Sequence, residues 1–164
     1  MRRSDREVSR KEEILHILDS SKVLHLGLAE DGMPYVIPLN YGYTMDGDKL
    51  TFYVHGALEG RKLDVIRKAP ACCVQIDCDG ALIAGQSACR YGYSYYSLIG
   101  FGKAAVVENA EEKMRALALL MKEQTAMDFA FNEEMAALVS VIRIDCESYT
   151  AKHCPMPAGS IGTE

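Results

Sequence analysis

The run Thr51-Phe52-Tyr53-Val54-His55 reads as a strand, and Gly60-Arg61-Lys62 follows a few residues later as the opening of a helix. The first turn of a helix leaves backbone N–H groups without intrahelical partners and carries the positive end of the helix dipole, so it favours an anion. Arg61 adds a planar fork of donors and Lys62 a mobile point charge, a pair suited to a doubly charged phosphate. His55 ends the strand beside that space. Its side chain ordinarily titrates near neutrality, which suits hydrogen bonding or proton transfer to a bound molecule.

A second run, Pro38-Leu39-Asn40-Tyr41, places a proline inside an apolar strand. Proline removes one ladder donor and implies an edge or a bulge, where freed backbone groups and the Asn40 amide can face a flat ligand. The segment Arg90-Tyr91-Gly92-Tyr93-Ser94-Tyr95-Tyr96 suits stacking on an aromatic group or an interface. Gly100-Phe101-Gly102-Lys103 is not a phosphate-binding P-loop, and no G-x-G-x-x-G follows an early strand. Nicotinamide is therefore not held by a Rossmann unit. The six cysteines include no C-x-x-C pair, so no metal is expected, and Cys72, Cys73 and Cys146 read as small buried hydrophobes.

The elements that position these residues follow from the patterning. Ser9-Arg10-Lys11-Glu12 fits a capping box for a helix carrying Ile14, Leu15 and Leu18. Strands over Val23–Ala29, Tyr35–Tyr41 and Lys49–His55 are joined by turns at Asp31-Gly32 and Gly47-Asp48, which make an antiparallel meander. A short helix over Gly60–Lys68 buries Leu63, Val65 and Ile66, with Pro70 beyond its end. A strand over Ala71–Asp77 turns at Asp79-Gly80, and Gly85 to Tyr95 reads as a loop. A long strand over Tyr96–Glu108 carries Gly100 and Gly102, which predict a bulge or bend. Asn109 opens an amphipathic helix through about Lys122 with Met114, Leu117, Ala118 and Met121 on one face. A short helix near Asn132–Ala136 precedes a last strand from Leu138 to Asp145 or beyond Tyr149.

These 164 residues suit a single domain with a core over about 12–152 and a loose tail from 155 to 164. Short turns between the first strands exclude a parallel α/β fold, and the pattern is mainly β (α+β), a small closed or nearly closed barrel with flanking helices. A net charge of −5 argues against a nucleic-acid surface. No apolar run is long enough to span a bilayer, and the charged N-terminus leads into no apolar stretch. Reduced thiols and a cytoplasmic location are the expectation.

The ordered motifs Met33-Pro34-Tyr35-Val36-Ile37-Pro38-Leu39-Asn40-Tyr41-Gly42-Tyr43, Leu50 to His55, Glu59-Gly60-Arg61-Lys62 and Ser97-Leu98-Ile99-Gly100-Phe101-Gly102 resemble the pyridoxamine-5′-phosphate-oxidase-like flavoproteins. Within them the chain is most similar to the branch of the Nim-type 5-nitroimidazole resistance proteins. The resemblance implies an antiparallel split β-barrel of six or seven strands that binds FMN at the interface of a homodimer. Arg61 and Lys62, with Gly60, would take the FMN phosphate. Pro38, Leu39, Asn40 and Tyr41 would lie along the isoalloxazine edge, Val54 and His55 would line the flavin, and His55 would meet the substrate. Ser97 and Ile99 would act across the dimer. The implied activity is FMN-dependent reduction of a small acceptor such as a nitroaromatic compound. The alternatives are a non-catalytic flavin-binding or sensing module, and a haem-binding barrel whose axial ligand comes from His16, His25, His55 or His153. The C-terminal Arg/His pattern of true pyridoxamine phosphate oxidases is missing, which argues against that activity.

Overall fold

Alternating apolar residues and Asp-Gly turns fold the chain into one antiparallel sheet that closes on itself. The computed structural model describes residues 3–157; the predicted loose tail, with Gly159 and Gly162, lies largely outside them. In chain order the elements are β1 (Glu7–Val8), α1 (Lys11–Ser20), β2 (Val23–Glu30), β3 (Met33–Asp46), β4 (Lys49–Gly56), α2 (Arg61–Lys68), β5 (Ala71–Ile83), β6 (Gly92–Val106), α3 (Ala110–Thr125), α4 (Glu133–Ala137) and β7 (Ser140–Cys154). The strand order is β1-β7-β4-β3-β2-β5-β6, and β6 also pairs with β7, so six strands form a ring with β1 appended to β7. This is the split-barrel fold.

A tight turn starts the ring. Asp31 (φ 50°) and Gly32 (φ 82°) join β2 to β3, both in the left-handed region that tight hairpins demand. Inward positions of the strands, among them Leu24, Leu26, Phe52, Val74, Ile76, Leu98, Ile142 and Ile144, fill the barrel. Strands β2 and β4 run in the same direction, each antiparallel to β3. The helix α1 leads into the start of β2 and α2 leaves the end of β4, so the two close opposite ends, α1 with Ile14, Ile17 and Leu18 and α2 with Leu63, Val65 and Ile66. A separate cluster of Val107, Ala116, Leu117, Ala136 and Val141 packs α3 and α4 onto the outside.

The split arises in β3. Its first part, Met33 to Asn40, pairs with β2, and its second part, Tyr41 to Asp46, pairs with β4. The β3–β4 ladder stops at Tyr41↔Val54, and beyond it His55 and Gly56 pair only with Val141 and Ser140 of β7. A groove therefore opens between the free edge of β3 and the chain that leads from His55 to α2.

Several expectations are corrected. The capping box at Ser9 does not form: Arg10 is the N-cap without a side-chain cap, and its Nε instead donates to Glu13 at 2.8 Å. Asp79-Gly80 is not a turn, because β5 continues to Ile83 through a register shift between Cys78 and Ala81. Part of the predicted Tyr-rich loop is strand, since Gly92 to Tyr95 belong to β6. The buried face of α3 is Ala116, Leu117 and Leu120, with Met114, Ala118 and Met121 at its margins. The predicted caps Asn109 and Asn132 form, accepting from Glu112 N and Met135 N at 2.8 Å each. The bulge predicted at the β6 glycines falls between Phe101 and Gly102.

Candidate functional site

The helix α2 begins at Gly60, whose φ of +138° is a conformation that L side chains rarely adopt. The carbonyl of Gly60 accepts from Leu63 N at 2.9 Å and from Asp64 N at 3.3 Å, which leaves the first amides, those of Arg61 and Lys62, at the open end of the helix. The apolar residues Leu63, Val65 and Ile66 anchor this end in the barrel, so its position is set by core packing.

Arg61 reaches across to the β2–β3 hairpin. Its Nε donates to Glu30 Oε2 at 2.8 Å, and its guanidinium lies 4.5 Å above the Tyr35 ring. Among the described residues this ion pair engages Nε alone, so the rest of the fork remains free to bind an anion. Lys62 folds the other way. Its ammonium lies over Gly56, the residue next to His55, and it has no ion pair among the described residues.

His55 stands between these features. It is half-buried, and its Nδ1 is buried without a hydrogen-bond partner. Burial, and secondarily the Lys62 charge, hold its pKa below the ordinary imidazole value. The ring is therefore neutral at pH 7. A buried polar atom without a partner is costly, and in a native protein it marks a place where a further group is to be met.

The residues from β3 divide. Pro38 and Asn40 are exposed and Leu39 is half-buried, with all three above the point where the β3–β4 ladder ends. The Asn40 amide donates to Lys22 O at 2.9 Å and to Gln124 Oε1 at 3.1 Å, and Gln124 in turn donates to Tyr41 O at 3.1 Å, which docks the end of α3 onto β3. The Tyr41 side chain points away from the groove: its hydroxyl donates to Leu18 O at 2.7 Å and its ring meets Phe52 edge-on in the core. Val54 is fully buried as well, so both can face a ligand only through the backbone. Ser97 and Ile99 lie on β6, one strand (β7) away from β4, and pair with Lys152 and Thr150 far along β7 from Val141, the partner of His55, so they do not join His55 within one chain.

Ile99 instead belongs to a row on the outer surface. Register places Pro38 beside His25, His25 beside Gln75 and Gln75 beside Ile99. The neighbouring row runs Val36, Gly27, Cys73, Phe101. Val36 (60% exposed), Phe101 (57%) and Ile99 (38%) make this face unusually apolar. Of the four histidines, His25 lies on this outer face, while His16 and His153 pack around Tyr96 at the α1 end. Only His55 stands in the groove. A separate concavity is lined by Asp46, Lys49, Thr51, Tyr53, Arg143 and Asp145, and within it Arg143 is held by Glu112 at 3.0 Å and by Asp145 at 2.8 Å.

Glu30, Tyr35 and Gln124, which position Arg61 and Asn40, carry no local sequence signal. Their contacts span 26 residues or more and exist only once the barrel has closed.

Comparison with known proteins follows the same lines. The sequence profile of a family described as pyridoxamine 5′-phosphate oxidase matches residues 10–153. A proposed 5-nitroimidazole antibiotic resistance protein from Bacteroides thetaiotaomicron superposes with a TM-score of 0.77 at 26% identity, covering 90% of this chain and 86% of that one. An FAD-binding protein from Mesorhizobium loti gives 0.64 at 25% identity, covering 92% and 98%. An FAD and haem binding protein from Mycobacterium smegmatis gives 0.77 at 19% identity, covering 96% and 82%, and shares the fold. No curated protein matches the chain significantly. Among the described residues no helix is long and apolar enough to cross a membrane.

Proposed function

The chain belongs to the pyridoxamine 5′-phosphate oxidase family, and from that premise we propose that it is an FMN-dependent oxidoreductase that reduces a small acceptor, such as a nitroaromatic compound of the 5-nitroimidazole class. One observation carries the reading: the open end of α2, with Lys62 folded over Gly56, lies beside the buried, unpartnered Nδ1 of His55 at the split between β3 and β4. Arg61, Lys62 and the first α2 amides hold the phosphate, and Glu30 and Tyr35 fix the guanidinium beside the β2–β3 hairpin. The edge of β3 at Pro38, Leu39 and Asn40 offers backbone groups to the polar rim of the ring system, with Asn40 fixed by Lys22 and Gln124. When bound, FMN supplies the electron transfer. The neutral His55 ring carries one N–H and one lone pair, so it donates a hydrogen bond to the acceptor or holds a proton at the same place.

The likeness to the Bacteroides protein supports the acceptor class, and the likeness to the Mesorhizobium protein supports a flavin. A homodimer completes the site in this reading. The apolar face of Val36, Ile99 and Phe101 is covered by a second copy, which brings Ser97 and Ile99 of one chain toward the β3 edge of the other.

Steady-state oxidation of NAD(P)H with a nitroimidazole or quinone acceptor tests the function. Turnover is expected, and His55→Ala is expected to keep its flavin while losing most of that turnover. A protein that holds flavin but reduces neither acceptor is a binding module, and the oxidoreductase reading then fails.

A further inference from the structure

At the end of the barrel closed by α1, far from the groove, His16 of α1 meets Cys78 and Asp79 of β5. The imidazole nitrogen, thiol sulfur and carboxylate oxygen all lie within 4.8 Å of one another. Nothing in the phosphate and His55 site uses them. We infer that these three side chains bind one divalent metal ion of the zinc class.

The backbone is shaped to bring them together. In a regular strand Cys78 and Asp79 would point to opposite faces of the sheet. The register shift between Cys78 and Ala81, with Asp79 at φ +55°, breaks that alternation, and both side chains reach His16. A positive φ is uncommon outside glycine but tolerated by aspartate.

The donor set selects the ion. One nitrogen, one sulfur and one carboxylate oxygen suit zinc, whereas magnesium and calcium take oxygen ligands. Three protein ligands leave a fourth position open, and the His16 and Asp79 side chains are 45% and 47% exposed, so the ion and a water have access. His16 Nε2 and Asp79 Oδ2 stand 2.5 Å apart. Two ligands of one tetrahedral ion with bonds of about 2.0–2.1 Å are separated by roughly 3.3 Å. Two exposed side chains open by less than about 1 Å to admit it.

Outer partners orient the histidine as they do at metal centres. Ser20 Oγ lies 3.4 Å from its Nδ1, and its ring meets Tyr96 edge-on at 5.2 Å. Tyr96 in turn stacks on His153 at 3.7 Å. The ion thus ties α1, the plug of this end, to the distorted part of β5. Because binding requires the folded arrangement, it raises the melting temperature.

Cobalt(II) is the probe, since a thiolate ligand gives it a charge-transfer band in the near ultraviolet. The full-length protein is expected to take up one equivalent with that band, and zinc is expected to displace it. Cys78→Ser should abolish the band, and His16→Gln and Asp79→Asn should each weaken uptake by at least about tenfold. Cys89→Ser, which alters an exposed thiol outside the cluster, should retain it. Circular dichroism confirms that each variant is folded, and the two exposed-ligand variants carry the test if Cys78→Ser is not. Absence of the band in the wild-type protein, or its survival in Cys78→Ser, overturns the inference, because His16 and Asp79 are then a hydrogen-bonded pair and nothing more.

Discussion

In the proposed reaction His55 is the residue that meets the acceptor, and its environment makes a measurable statement. Burial first, and Lys62 second, hold its pKa below the ordinary imidazole value of about 6.5. In an NMR titration its midpoint is expected below that value and is expected to rise when inorganic phosphate binds, because the anion offsets the Lys62 charge. Lys62→Ala should raise it as well, and a midpoint indifferent to both would separate His55 from the phosphate site. The same shift governs stability. The unfolded chain regains the ordinary value, so as pH falls through about 6.5 the unfolded state takes up a proton that the folded state refuses, and stability declines. Above that pH His55 adds no pH dependence. Urea melts between pH 7.5 and 5.5 should show the decline, and His55→Gln should reduce it. For Lys62 the test is binding. Hydrogen bonds to charged groups contribute about 1.5–3 kcal/mol, so Lys62→Ala should weaken FMN by roughly tenfold or more and leave riboflavin, which lacks the phosphate, unchanged. Equal losses for both flavins would remove Lys62 from the phosphate site.

Among the elements, α3 depends most on a single position. A Cβ on Gly42 would stand 2.6 Å from Leu120 N and 2.8 Å from the Leu119 carbonyl carbon, so the helix backbone sits directly on β3 there. Gly42→Ala must push α3 outward and loosen the Gln124–Asn40 contact. Overpacking of this kind costs about 1–3 kcal/mol, which a lowered melting temperature would register and an unchanged one would contradict. The meander of β2, β3 and β4 is legible in sequence because Asp31-Gly32 and Gly47-Asp48 interrupt apolar runs with residues made for hairpin turns. The open end of α2 is legible for a similarly local reason, a glycine followed by two cations. Asp79-Gly80 carries the same signal as the hairpins yet sits within a continuous strand. A dipeptide records that the backbone must bend, while the partner strand decides whether the bend is a turn or a bulge. The two residues of β1 show no periodicity at all, and Ser9 fits a capping box that Arg10 displaces by pairing with Glu13. Contacts that join α1 to β5, or Arg61 to Glu30, belong to closure of the ring.

At the scale of the molecule, two features of the barrel remain to be connected: a groove at the split and an apolar outer face. In the proposed dimer they are one surface, since the row from Pro38 through His25 and Gln75 ends at Ile99. Phe101, at 57% exposure, is the large side chain whose change should matter most. Phe101→Asp is expected to halve the mass observed in light scattering and to weaken flavin retention, without unfolding a barrel whose interior it does not touch. A wild-type protein that is monomeric with flavin bound would contradict the shared site. The proposed function rests on one phosphorylated flavin held at the split and the open end of α2, and an absorption spectrum of the purified protein, with the released chromophore identified by mass, tests that most directly. The account predicts the bands of oxidised flavin and the mass of FMN. A colourless protein that also fails to take up added FMN would contradict it.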